Sequence, residues 1–200
     1  MARIDYFFST LSPYTYLSGT RLEEVAARHG ASIHYKPMDI VALFGRTGGT
    51  PPGQRHVSRQ EYRLIDLERQ SARTGLKLKL KPAHWPTNAA PSSYAIIAAQ
   101  EAGGGDMGKL VHGILTAVWA EERDIAEDSV IRDCLSAAGF DPALADSGLL
   151  SGADTYAANL EEAVERGVCG ARCFIPDDGE GSWGQDKFAE LDAYLTASAA

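Results

Sequence analysis

Cysteine is scarce in this 200-residue chain, with three (Cys134, Cys169, Cys173), an odd number too small for a disulfide scaffold. Long apolar runs are missing as well. No stretch approaches the roughly 18 residues that would span a bilayer, and the opening Met1-Ala2-Arg3-Ile4-Asp5-Tyr6-Phe7-Phe8-Ser9 lacks the extended apolar core of a signal peptide. Nor is there a net positive charge. The formal charge is −8, which argues against general nucleic-acid binding. The five histidines have no zinc-like spacing, so no metal site is expected. These absences predict a soluble, cytoplasmic, reduced protein with no membrane partner. What is present is ordinary: 44% hydrophobic and 23% charged residues, enough for one large domain or two small ones and too apolar for intrinsic disorder.

The charge is unevenly spread. Residues 1–100 carry 13 Lys/Arg against 7 Asp/Glu, and residues 101–200 carry 6 against 20. Arg55, Arg59 and Arg63 recur every four residues, which aligns them along one helix stripe. Two readings stand: a solvated face, or a partner for the acidic half, on one side; attraction of an anionic small substrate on the other.

Ile4 to Phe8 reads as a buried strand. Ser12-Pro13 is an N-cap followed by proline at the first helical position, opening a helix that runs to Gly30. Residues 31–38 read as a second strand, parallel to the first because a helix intervenes. Residues 39–45 suit a short helical turn, 47–53 a loop, 55–73 a helix, and 76–86 an extended segment. The alanine-rich stretch from 89 to 166 suits four or five helices. Cys173-Phe174-Ile175 and Ser182-Trp183 are short strands around a turn at 176–181, and Phe188, Leu191 and Leu195 mark a last helix. The order is β-α-β, a helical block, then β-β-α. Ligands in such sheets gather beyond the carboxyl ends of the strands, near helix N-termini. Ser12 sits there, as a plain helix cap or as a donor to a bound anion such as a thiolate. No histidine is close in sequence to activate it as a nucleophile.

Phe7-Phe8-Ser9-Thr10-Leu11-Ser12-Pro13-Tyr14-Thr15-Tyr16-Leu17 resembles the opening of 2-hydroxychromene-2-carboxylate isomerases and kappa-class glutathione transferases. So do Gly167-Val168-Cys169-Gly170-Ala171 with Phe174, and Trp183-Gly184-Gln185-Asp186-Lys187-Phe188. A weaker match covers Thr47 to Pro52, Tyr62, Asp66-Leu67 and Pro82 to Pro86. The resemblance implies an α/β, DsbA-like fold: a thioredoxin-like β-α-β plus β-β-α sheet (residues 1–45 and 167–200) with a large all-helical insertion (46–166). It implies glutathione as cofactor, with Ser12 as the catalytic contact to sulfur. Ala171, Trp183, Gly184, Gln185 and Asp186 would bind the rest of the tripeptide. Ser182-x-x-Gln185 is equally a capping-box pattern.

A small aromatic or conjugated keto acid would lie against Leu43, Phe44, Gly49, His84 and Trp85, with Lys36 as a cation for its carboxylate or phenolate. The implied reaction interconverts a chromene carboxylate and a hydroxybenzylidenepyruvate through a transient glutathione adduct. The alternatives are a kappa-like transferase that conjugates electrophiles, or a non-catalytic ligand-binding member of the fold. A homodimer is implied by analogy.

The chain departs from the family pattern at three places. Arg172 stands where the family has a cis-proline, Cys173 where it has a small hydroxyl residue, and Gly49 where it has an asparagine. A cis bond before a non-proline costs about 2.5–4 kcal/mol, so a trans loop is expected here, with Arg172 projecting toward the ligand. Cys169 and Cys173 leave open a regulatory disulfide, a contact from Cys173 to glutathione, or three inert buried thiols. Leu11-Ser12-Pro13-Tyr14, where a redox Cys-x-x-Cys would fall, has no cysteine, which excludes dithiol chemistry at that site.

Overall fold

Tyr6-Phe7-Phe8 is apolar on both sides of a strand, and a strand of that kind belongs in the middle of a sheet. In the computed structural model, which describes residues 2–176, 181–184 and 186–198, it does. β1 (Arg3–Phe8) pairs in parallel with β2 (Ser32–Pro37), from Arg3 opposite Ser32 to Phe8 opposite Pro37. Its other edge pairs antiparallel with β3 (Cys173–Pro176), and β3 pairs with β4 (Ser182–Trp183), giving the order β2-β1-β3-β4.

The helix expected from Pro13 to Gly30 is divided. α1 (Pro13–Tyr16) is a single turn, and α2 (Arg21–Arg28) begins after a turn at 17–20. Gly19 sits at φ 59°, a left-handed value that an α-helix cannot absorb. Beyond β2 come α3 (Ile40–Thr47), capped by Asp39, and a 3₁₀ turn (Pro52–Gln54). α4 (Val57–Thr74) is the basic helix. The extended run that follows forms no strand. Its leucines 76, 78 and 80 pack inward and its lysines 77, 79 and 81 face out. α5 (Ala90–Ala102), α6 (Met107–Trp119), α7 (Asp128–Ala137), α8 (Leu144–Ser147) and α9 (Leu149–Glu165) fill the alanine-rich stretch, and α10 (Phe188–Ser198) closes the chain. The expected turn at 176–181 lies mostly outside the described residues.

Alternation along β1 divides the core. Ile4, Tyr6 and Phe8 join Tyr35 and Phe174 in a cluster that runs without a break through α2 and α10 into the helical block. Phe7 turns the other way, with Cys173 and Ile175, against Leu43 of α3 and Ala163 of α9. Asp5 lies on that second side, only 2% exposed, with its carboxylate bonded by Arg166 and flanked by Lys36 at 3.9 Å. Among the described residues, no helix is long and apolar enough to cross a membrane.

Candidate active site

At the carboxyl end of β1 the chain turns through Ser9 to Leu11 into α1, and a cavity of about 710 Å³ opens there. That volume is ordinary for a small-molecule site. Ser12 caps α1: its Oγ accepts the Thr15 N–H at 3.2 Å, which leaves the hydroxyl hydrogen free to donate. Pro13 has no N–H and Thr15 has spent its own. Among the described residues no acceptor meets the Tyr14 N–H. A one-turn helix brings little dipole, so stabilisation of an anion here rests on one hydroxyl and one amide rather than on the field of a long helix.

The opposite rim comes from the far end of the chain. Gly170, Ala171, Trp183, Gly184 and Asp186 line it. Gly170 lies so close under the indole of Trp183 that a Cβ would fall 2.5 Å from Nε1. Among the described residues nothing bonds the Ala171 N–H or C=O, whereas the next amide, that of Arg172, donates to Phe7 O at 3.1 Å. Gln185 lies outside the described residues.

The third side is apolar and basic. α3 contributes Ile40, Val41 and Phe44, the following loop Pro51 and Pro52, and the segment before α5 Trp85 and Pro86. Arg55 and Arg63 face the cavity, the first 5.9 Å over the Phe44 ring and the second 6.0 Å over Trp85. The Tyr14 hydroxyl donates to Asp66 Oδ2 at 2.8 Å. Burial and that carboxylate together push the Tyr14 phenol up, so it stays protonated at neutral pH.

Ser12, Ala171, Trp183, Gly184, Asp186, Phe44 and Trp85 thus converge as expected. Four others do not. Lys36 shares the face of Phe7 and gives its Nζ to Glu162 of α9 at 2.5 Å, on the far side of the sheet layer. Leu43 is fully buried in the cluster between the sheet and α9, while Ile40, Val41 and Phe44 form the cavity side of the same helix. Gly49 abuts Phe44 from behind, where a Cβ would meet Cδ1 at 2.3 Å. His84 is 51% exposed and turned toward Asp124, 3.9 Å away.

Arg172 also departs from expectation. The only cis peptide among the described residues is Trp85–Pro86, so the bond before Arg172 is trans as anticipated. Its side chain, however, runs inward rather than toward the ligand. The guanidinium is 1% exposed, donates to Tyr14 O at 2.9 Å and covers the Phe188 ring. Burial lowers its pKa to about 10, so it remains a cation. All three cysteines are free. Cys134 and Cys173 are buried and Cys169 is exposed. Cys173 points into the apolar cluster under α9, away from the cavity, and burial pushes its thiol up to about 11.

Sequence reasoning missed Tyr14, Asp66 and the prolines. Tyr14 reads as one more apolar position in a helical stripe, and nothing local says that its hydroxyl reaches α4. The arginine stripe was a usable signal, but only two of its three members face the cavity; Arg59 is exposed outside it.

A family model described as a DSBA-like thioredoxin domain matches residues 3–196. The chain belongs to that family. Its fold is therefore DsbA-like, an α/β thioredoxin-type sheet with a helical insertion. This DSBA-like chain is 28% identical over 195 residues to the 2-hydroxychromene-2-carboxylate isomerase of Sphingobium xenophagum, covering 96% of this chain and 97% of that one. It is 27% identical to the protein of that name from Pseudomonas putida, over 96% and 93%. A solved 2-hydroxychromene-2-carboxylate isomerase superposes with a TM-score of 0.78 at 23% identity, covering 98% of this chain and 96% of that one. The cytosolic disulfide reductase DsbM of Pseudomonas aeruginosa does so at 0.72 and 18%, over 98% of each chain. At such identities these structures speak for the fold alone.

Proposed function

We propose that the protein is a glutathione-dependent isomerase of the 2-hydroxychromene-2-carboxylate type, acting on a small aromatic or conjugated keto acid. The observation that carries this reading is the convergence of Ser12, the open backbone of Ala171 and the aromatic walls Phe44 and Trp85 on one cavity. Similarity over almost the whole chain to isomerases of that name supports it. The residues suit the tripeptide. Ser12 offers a hydroxyl hydrogen to a sulfur anion, Ala171 offers an extended cysteinyl unit an N–H and C=O that no described residue bonds, and Asp186 offers a carboxylate to an ammonium.

Glutathione, when bound, supplies a thiol that adds reversibly to a conjugated carbon and departs unchanged once a bond has rotated. The protein's part is to keep that thiol ionised and the acceptor beside it. A charge-assisted hydrogen bond contributes roughly 1.5–3 kcal/mol. That is enough to bring a thiol from about 8.5 to about 7. Phe44 and Trp85 hold a flat ring and exclude water from it.

The test is the ultraviolet thiolate band on adding glutathione. It is expected with the native protein and lost in Ser12→Ala, with a rate fall of about 10- to 100-fold. Interconversion of the two isomers without net loss of glutathione completes it. Absence of glutathione binding at millimolar concentration overturns the reading, and stoichiometric loss of the thiol makes the protein a transferase instead.

A further inference from the structure

Among the described residues, two guanidinium groups face the cavity without an acid within ion-pair distance. Arg46, Arg123, Arg132 and Arg166 each meet a carboxylate. Among the described residues, Arg55 and Arg63 have none within ion-pair distance. Arg55 spends only its Nε, on Thr50 O at 2.8 Å. Asp66 shares the cavity, but Oδ2 takes the Tyr14 hydroxyl and Oδ1 the Gln70 amide at 3.3 Å. Asp186 is on the opposite rim with Trp183 and Gly184, and its charge acts on Arg172 and Lys187.

Such an arrangement is costly while the cavity holds no anion. Both arginines are partly withdrawn from water, which disfavours their charge, and the charge of Arg55 disfavours that of Arg63 further. An arriving anion relieves both effects. The chemistry selects which anion. Each guanidinium has an aromatic ring beneath it, so its N–H edges stay available in a plane that fits a carboxylate. The same rings, Phe44 and Trp85, are flat apolar walls for an unsaturated body. Lys36, first expected to meet the acid end, lies outside the cavity.

We propose that Arg55 and Arg63 form a carboxylate clamp that makes the cavity selective for aromatic acids over their uncharged analogues. The clamp names the acid-binding residues of the proposed isomerase site and rests on that reading for the reaction, not for the binding. The same chemistry could be met by a carboxylate of glutathione, so the experiment separates the two.

Isothermal titration with trans-cinnamate and neutral trans-cinnamamide, without glutathione, reads the clamp directly. Cinnamate is expected to bind about tenfold more tightly than the amide. Arg55→Gln and Arg63→Gln should each remove most of that difference and leave amide binding and circular dichroism unchanged. Arg59→Gln, on the exposed part of the same stripe, removes a charge that acts on Arg55 only through space and should leave most of the discrimination intact. A parallel titration with glutathione should be unaffected by all three substitutions. Equal affinity for acid and amide in the native protein overturns the clamp. So does a variant pattern that weakens glutathione and spares cinnamate. Cinnamate discrimination in a protein that fails to bind glutathione leaves the clamp standing and removes the isomerase reading.

Discussion

Arg172 carries an unusual load for one residue. Its backbone is left-handed, at φ 73°, and its guanidinium ties the loop bearing Ala171 to the turn bearing Ser12 through the Tyr14 carbonyl. The two contributions separate by substitution. Arg172→Ala loses the buried hydrogen bond and keeps the strained backbone, at a cost of about 2–4 kcal/mol. Arg172→Gly loses the same bond but relieves the strain, and should unfold at the same or a higher urea concentration, by up to about 1 kcal/mol. At a right-handed position the order reverses, which makes the pair diagnostic of the backbone. None of this is legible in the sequence. A trans bond follows from the missing proline, but an arginine gives no signal that its φ is positive or that its charge turns inward. Ser12 is the opposite case, because Ser-Pro after an apolar strand states both the cap and its position.

Among the elements, α3 decides how the aromatic side of the cavity is built. Asp39 caps it through bonds to the Val41 and Ala42 amides, and its neighbours Leu43 and Phe44 point to different layers. The periodicity of a short helix reveals two apolar positions but not which layer each meets, and for that reason Leu43 was misplaced. Lys36 was misplaced for a related reason. Strand alternation fixes that it shares a side with Phe7 only once the register with β1 is known. Gly49 acts through Phe44 rather than on a ligand. Gly49→Ala should push the ring into the cavity, raising the KM for an aromatic substrate several-fold while glutathione affinity stays constant. An unchanged KM would show that the ring yields elsewhere. The division of the first helix was missed because its apolar spacing continues through the turn that Gly19 imposes.

Across the whole molecule, the order of strands and helices was readable because period-2 and period-3.6 segments alternate, whereas the DsbA-like fold was implied by the resemblance of the motifs around Ser12 and Trp183 and is shown by the family match. The continuity of packing from sheet to helical block was not, since it depends on contacts between distant segments. The uneven charge is partly resolved within the chain. Lys36–Glu162, Arg46–Glu161 and Arg166–Asp5 join the basic half to the acidic one or the reverse.

The cluster around Asp5 predicts a pH dependence. Burial raises its pKa, but the Arg166 hydrogen bond and the Lys36 charge outweigh that and hold it below 3.8. Glu162 is likewise held below 4.5, where the bonds from Lys36 and Arg166 outweigh its burial. Depressed folded values mean that the stabilisation is present above those figures and is lost as pH falls through the folded values. Asp5→Asn should cost on the order of 3 kcal/mol near neutral pH. Urea midpoints should show the native and variant proteins converging below about pH 4; a gap that stays constant would refute the assignment.

The two sides of the cavity are written on separate stretches of chain. Leu11 to Tyr14 with Gly170, Ala171, Trp183, Gly184 and Asp186 form one side, while Ile40 to Asp66 and Trp85-Pro86 supply Phe44, Trp85 and the two arginines. Two hydrogen bonds join the sets, from the Tyr14 hydroxyl to Asp66 and from the Trp85 indole to Leu11 O, so substitutions in the second set that spare Asp66 and Trp85 leave the turn at Ser12 supported. A laboratory seeking new acceptors for this scaffold would confine its library to the rest of the second set and leave the first as it stands.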